Sequence, residues 1–100
     1  MDTRPHVVEI MNIGVTPALQ SWSIGTRLLR AAVRLARKQG AEALDVGTCN
    51  CRVRELAFYQ RFGFRMTSID RDFFARRSTV VEPIDGIVVS DMVHLSMKLD

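Results

Sequence analysis

The chain of 100 residues contains no long apolar run. None of its hydrophobic stretches approaches the roughly 18 residues that a membrane-spanning helix needs. No stretch combining positive charge, an apolar segment and small residues opens the chain in the way a signal sequence does. From these absences we expect a soluble, cytoplasmic protein with no membrane partner.

Metal ligands and cysteines are scarce. The two histidines, His6 and His94, stand near opposite ends of the chain with no ligand spacing around them, so we expect no metal. The only cysteines, Cys49 and Cys51, lie two positions apart at a predicted strand end. A disulfide across that spacing is geometrically awkward in an extended strand. We therefore expect two free thiols in a reducing compartment.

Aromatic residues make up only 7% of the chain, and charge of one sign is not gathered in a block. The net charge of +3 arises from 14 Lys and Arg against 11 Asp and Glu. No aromatic side chains interleave with Arg76, Arg77 or the arginines of the first predicted helix, as a base-stacking surface requires. We expect no nucleic-acid partner, and the mild positive charge suits an anionic small ligand or a solvated face.

Hydrophobic periodicity predicts alternating strands and helices along one domain that spans residues 1–100. A long connection with an Asp85-Gly86 turn precedes the last strand, whose odd positions are apolar from Ile87 onward. The order β-α-β-α-β-β predicts an α/β (α+β) fold, with a mixed sheet flanked by helices. The predicted elements are a strand over 6–15, a helix over 24–39 ended by Gly40, a strand over 43–48, a helix over 52–62, a strand over 64–69 and a strand over 87–99.

The first predicted helix has a wide apolar side. Projected at ~100° per residue, its apolar side chains cover an arc of roughly 200°, which is more than packing on a sheet requires. The opposite side is basic and is most simply a solvated face. The apolar members are Ile24, Leu28, Leu29, Ala31, Ala32, Val33, Leu35 and Ala36, and the basic ones are Arg27, Arg30, Arg34, Arg37 and Lys38.

Two segments place polar groups where α/β folds usually bind ligands. The turn from Gln20 to Thr26 leads from a buried strand into a helix, and a helix N-terminus offers free N–H groups and a dipole that favour a phosphate. The second segment places Asn50 at a strand end and Tyr59 late on the next helix, which Gly63 ends. Both polar side chains are thereby directed beyond the sheet.

Together these segments resemble the GNAT superfamily of acetyl-CoA-dependent N-acyltransferases. In that family the first turn carries Arg or Gln, then two residues, Gly, one residue, and Gly or Ala. The corresponding residues here are Gln20, Ser23 and Gly25, and Ser23 departs from the pattern by adding a Cβ where backbone approaches the diphosphate. The second unit matches closely, through Asn50, Ala57, Tyr59, Gly63 and Phe64.

The resemblance implies an N-acetyltransferase in which an amine attacks the thioester of acetyl-CoA directly, with no metal and no covalent enzyme intermediate. Tyr59 would protonate the departing CoA thiolate, Glu9 would act as general base, and Asn50 would bond the cofactor arm. Backbone groups would bind the rest of the cofactor: Ile13, Gly14 and Val15 along the pantetheine arm, and Gln20, Ser21, Trp22, Ser23, Ile24, Gly25 and Thr26 around the pyrophosphate.

Each proposed role has a simpler alternative. Tyr59 could be a core aromatic residue with its hydroxyl at the surface. Asn50 could cap the helix that follows it, alone or while also contacting ligand. Glu9 could be a strand residue paired with an arginine.

The resemblance also implies strands and helices before the strand at residues 7–15, which build most of the acceptor site in the family. We expect a homodimer, or another partner, to cover that strand. The acceptor would be a small-molecule or peptide amine of unassigned identity. The alternative is a non-catalytic half domain that binds CoA or a partner without turnover.

Overall fold

A computed structural model describes residues 7–10, 22–77 and 82–99, with side chains from Ile24 onward. The elements follow the predicted order β-α-β-α-β-β, which confirms the α/β class. They are β1 (Val7–Ile10), α1 (Trp22–Lys38), β2 (Ala43–Cys49), α2 (Val53–Phe62), β3 (Arg65–Asp70) and β4 (Met92–Lys98).

The four strands form one sheet in the order β1-β2-β4-β3. β1 runs parallel to β2, with Val7 opposite Ala43 and Glu9 opposite Asp45. Bonds near the two ends of β2 show that β4 runs antiparallel to it: the N–H of Leu99 donates to Glu42 O at 2.9 Å, and the N–H of Asn50 donates to Asp91 O at 2.9 Å. The sheet is therefore mixed, as the sequence predicts.

The chain divides into two compact units, and each has its own buried side chains. One unit contains β1, α1, the start of β2 and the end of β4, and the other spans Gly47–Leu95. The core of the first unit is Leu29, Val33, Ala36, Ala41, Leu44, Val46 and Leu99. The core of the second is Cys49, Cys51, Tyr59, Phe64, Val93 and Leu95, with Thr48 as its buried polar residue.

Helix α1 buries a narrower stripe than its apolar arc. Leu29, Val33 and Ala36 are buried at i, i+4, i+7 spacing, whereas Leu28 and Leu35 are 47% and 58% exposed. The predicted basic face is exposed along its whole length. The helix ends as predicted at Gly40, whose φ of 75° suits glycine. Ala41 N donates to Ala36 O and Gly40 N to Arg37 O, which is a Schellman ending.

The predicted strand from Ile87 is wrong over its first five residues, because β4 begins at Met92. The Asp85-Gly86 turn is present, with φ values of 51° and 77°, and it joins Ile84 to Ile87 by a pair of backbone hydrogen bonds. Residues 88–91 lie outside any strand and bond to Asn50 instead. The predicted alternation holds within β4, since Val93 and Leu95 are buried.

Candidate functional site

Asn50 follows the last residue of β2 and holds the segment 88–91 by its side chain. Its Oδ1 accepts the N–H groups of Ser90 at 3.1 Å and Asp91 at 3.0 Å. Its Nδ2 donates to Val88 O at 3.0 Å. The alternative that Asn50 caps α2 is wrong, because the residue preceding that helix is Arg52 and no side chain bonds there as a cap.

The segment 88–91 is bonded in turn to the residues that follow β3. Ser90 O accepts the N–H of Phe74 at 2.9 Å. The carboxylate of Asp91 accepts the N–H of Asp72 at 2.9 Å, and Asp72 has a φ of 61°. Asn50 therefore stands at one end of a hydrogen-bonded chain that reaches the turns at 71–77. The isolated Asp91, which interrupts the apolar pattern near β4, was the sequence signal for this connection.

Cys49 and Cys51, on either side of Asn50, are joined by a disulfide. The expectation of two free thiols is thus wrong. It assumed an extended strand, but the chain turns here: the N–H of Arg52 donates to Cys49 O at 3.1 Å, and the two Cα atoms lie 5.1 Å apart. That separation is within the range a disulfide accepts.

Tyr59 lies on the last turn of α2 and is buried, with 4% of its surface exposed. Its ring packs against Phe58 and Phe64, with centroids 5.7 and 5.6 Å away. Gly63, at a φ of 130°, ends the helix, and its N–H and that of Phe64 both donate to Tyr59 O. The helix ending and the aromatic contacts together fix where this side chain lies.

Burial and, to a smaller extent, the nearby Glu55 carboxylate together raise the pKa of the Tyr59 phenol to about 12. Both effects disfavour the phenolate, so the hydroxyl remains protonated at neutral pH. Tyr59 is therefore a hydrogen-bond donor under physiological conditions and not a base.

The chain has a single tyrosine, so its titration can be followed directly. We expect the near-ultraviolet absorbance of tyrosinate to rise with a midpoint near pH 12 in the folded protein, and near pH 10 after denaturation. Between those pH values the folded protein binds more protons than the unfolded chain. The contribution of Tyr59 to the free energy of unfolding should therefore have its full value below pH 10 and decline as the pH rises toward 12. Equal midpoints in the two states would contradict the buried phenol.

Glu55 is a residue of this region that the sequence reasoning missed. It lies in the first turn of α2, where a carboxylate interacts favourably with the helix dipole. Its Oε2 accepts the hydroxyl hydrogen of Thr48 at 2.9 Å, and Arg52 lies 3.9 Å away. The signal was its spacing of i, i+4 to Tyr59, which puts both residues on one side of the helix.

The predicted diphosphate segment is only partly described. Helix α1 begins at Trp22, two residues before the predicted start, so Ser23 through Thr26 are helical. The earlier start moves the positive end of the helix dipole toward the N-terminal end of the predicted set. Gly25 is buried, Ile24 is 41% exposed and Thr26 is intermediate.

Several predicted site residues lie outside the described part of the chain. Glu9 has its backbone in β1 opposite Asp45, but its side chain is not described, and the same is true of the side chains of Trp22 and Ser23. The positions that are wholly outside are Ile13, Gly14, Val15, Gln20 and Ser21.

Metal sites and membrane-spanning helices are both absent from residues 7–10, 22–77 and 82–99. Within those ranges there is no group of three or more His, Cys, Asp or Glu side chains positioned to hold a metal ion. No helix in the same ranges is both long and apolar enough to span a membrane.

The strand order β1-β2-β4-β3, with a helix before and after β2, defines a mixed α/β fold. Residues 1–64 match the model of the acetyltransferase (GNAT) family. The chain belongs to that family.

The names of individual relatives agree with this family assignment. The chain is 40% identical over 99 residues to the uncharacterized N-acetyltransferase YvbK of Bacillus subtilis, covering 99% of itself and 64% of that protein. An IAA acetyltransferase from Bacillus cereus superposes with a TM-score of 0.89 at 46% identity, over 99% of this chain and 66% of that one. An acetyltransferase of Bacillus subtilis, crystallised with CoA, superposes with a TM-score of 0.88 at 40% identity, over 100% of this chain and 66% of that one. The chain thus spans just under two thirds of the length of these relatives.

Proposed function

We propose that this protein transfers the acetyl group of acetyl-CoA to the amine of a small molecule or peptide by direct attack. Family membership over residues 1–64 is the observation that carries the proposal. The relative crystallised with CoA supports acetyl-CoA as the co-substrate. The relatives named as acetyltransferases favour an enzyme over a half domain that only binds CoA.

The N-terminal end of α1 has the chemistry that a diphosphate requires. Its first turn contains no acidic residue, and the helix dipole places partial positive charge there. Gly25 lies in the same turn and carries no side chain to obstruct an approaching ligand. We assign the backbone amides from Ser21 to Thr26 to the pyrophosphate, with Gln20 beside them and Ile13 to Val15 along the pantetheine arm.

We assign to Tyr59 the role of stabilising the CoA sulfur as it leaves the acetyl group. Acetyl-CoA supplies an activated thioester, whose cleavage leaves a thiolate. A phenol with a pKa of about 12 holds its proton more tightly than an ordinary thiol, whose pKa is about 8.5. Tyr59 therefore acts chiefly by donating a hydrogen bond as negative charge forms on sulfur, and solvent can complete the protonation.

Asn50 has little capacity left for a ligand. Its Oδ1 already accepts two backbone N–H groups, and one of its two Nδ2 hydrogens is donated to Val88 O. A single N–H is then free for the cofactor arm. We assign to Asn50 one such bond and the support of segment 88–91. Glu9 is assigned the role of general base toward the amine.

We also propose a cytoplasmic homodimer. β1 is the outer strand of the described sheet beside β2, and an outer strand can pair with a further strand from another chain. Light scattering at micromolar concentration tests this point. A strictly monomeric protein would contradict the homodimer without affecting the proposed chemistry.

The acetyl-transfer proposal is tested by combining a binding measurement with a turnover measurement. Calorimetry with acetyl-CoA should show saturable binding. Incubation with acetyl-CoA and a panel of polyamines, aminoglycosides and peptides should release CoA thiol in an amine-dependent manner. Binding without thiol release for any amine would favour a binding module, and the absence of binding would overturn the proposal.

A further inference from the structure

The disulfide that flanks Asn50 has no part in the proposed acetyl transfer. Cys49 and Cys51 are both buried, and Asn50, the residue between them, holds segment 88–91. We propose that these two cysteines form a reversible disulfide that locks the turn carrying Asn50, and that its reduction loosens the attachment of residues 88–91. This goes beyond acetyl transfer and makes the turn a redox-sensitive site.

The position of the Cys49–Cys51 disulfide in the chain indicates that it affects the local backbone more than global stability. A disulfide restrains the unfolded chain more strongly when it closes a longer loop, and this one closes across a single residue. It therefore adds little to global stability by that route. Its main consequence is to restrict the backbone of Asn50 itself.

Four described hydrogen bonds join Asn50 to segment 88–91, and all four depend on the position of the Asn50 backbone. Besides the three side-chain bonds, the N–H of Asn50 donates to Asp91 O at 2.9 Å. The N–H of Cys51 lies 3.2 Å from Cys49 Sγ, so the turn folds back onto the bonded sulfur. Without the sulfur link, the described hydrogen bonds that backbone N–H groups make within this turn are those from Arg52 N–H to Cys49 O and from Cys51 N–H to Cys49 Sγ. Rotation of the Asn50 backbone would misalign several hydrogen bonds at once.

The chemistry is thiol–disulfide exchange with a small thiol or disulfide. In reduction, a thiolate of dithiothreitol attacks Cys49 Sγ, and Cys51 leaves as a thiolate that takes a proton from water. The second thiol of the reagent then displaces Cys49, which leaves two protein thiols and the cyclic disulfide of the reagent. In oxidation, glutathione disulfide forms a mixed disulfide with Cys49, and Cys51 displaces the remaining glutathione. Cys49 is the sulfur attacked first because it is 6% exposed, against 1% for Cys51.

The bond itself is tested by alkylation of the full chain under two conditions. After equilibration with glutathione disulfide, acid quenching and denaturation, we expect neither cysteine to be alkylated. After equilibration with dithiothreitol, we expect both to be. Two alkylated cysteines under the oxidising condition would overturn the proposal.

The proposed restraint of the Asn50 turn by the disulfide is tested by hydrogen exchange at the amides of Ser90 and Asp91, which both donate to Asn50 Oδ1. We expect reduction to speed their exchange several-fold and to leave the amide of Leu99, bonded to Glu42, unchanged. Asn50→Ala should give fast exchange at Ser90 and Asp91 in both redox states and so calibrates full release. Equal protection of these amides in the oxidised and reduced wild type would overturn the proposal that the disulfide restrains this turn. Neither measurement uses acetyl-CoA, so a failure here is distinct from a failure of the proposed acetyl transfer.

Discussion

Replacing Tyr59 with Phe should lower the turnover number by about 100-fold while leaving the acetyl-CoA dissociation constant within about twofold. Removing one positioned hydrogen-bond donor to a developing negative charge typically lowers turnover by about 10²–10³-fold, and the change removes only the hydroxyl. The ring contacts with Phe58 and Phe64 remain, so the fold should persist. Single-turnover thiol release and calorimetry measure the two quantities separately.

The same variant provides its own structural check. Thermal unfolding of Tyr59→Phe at pH 7 should match the wild type, since the wild-type phenol is uncharged there. The alkaline loss of stability above pH 10 should disappear, because the titrating group is gone. Unchanged turnover in a folded Tyr59→Phe protein would remove the phenol from the mechanism.

Replacing Asn50 with Ala should lower the free energy of unfolding by about 2–3 kcal/mol. The change leaves the part-buried N–H groups of Ser90 and Asp91 without their partner, and an unsatisfied buried group costs about 1–3 kcal/mol. The lower part of that range applies to each of these two groups, and the exposed carbonyl of Val88 can bond to water instead. Urea unfolding of the two proteins measures the difference.

Two further variants separate this effect from simple loss of a polar group. Asn50→Asp keeps an acceptor for Ser90 and Asp91 and loses only the donor to Val88, so it should cost less than Ala. Thr67→Val removes one exposed hydrogen bond to His94 O and should change stability by less than about 0.5 kcal/mol. An Asn50→Ala protein as stable as Thr67→Val would show that the bonds to segment 88–91 contribute nothing measurable to the free energy of unfolding.

Local signals predicted most of the fold. The apolar period of α1, Gly40 as its stop signal and the alternation from Val93 are properties of neighbouring residues, and the structure follows them. The predicted strand over residues 87–91 failed for a nonlocal reason. Three of its backbone groups bond to the side chain of Asn50, about forty positions earlier, and no periodicity within the segment records that partner.

The candidate site was less predictable from the sequence than the fold was. The spacing of Asn50, Tyr59 and Gly63 predicted a polar turn and a helix ended at glycine, and these features are present. Nothing in the local pattern indicated that most of the hydrogen-bonding groups of the Asn50 side chain bond to the protein itself. It also misjudged Cys49 and Cys51, because their pairing depends on a turn that begins at the strand's last residue.

The hydrogen bonds of Asn50 also bear on the order of folding events. They join residues separated by 38, 40 and 41 positions in the chain. Closing so large a loop is entropically costly, whereas α2 and its ending at Gly63 form from adjacent residues. We therefore expect the Asn50 bonds to form after the rate-limiting step, so that Asn50→Ala mainly accelerates unfolding and scarcely slows folding in stopped-flow experiments. The part of the protein proposed to hold the acyl donor would then be completed last and opened first.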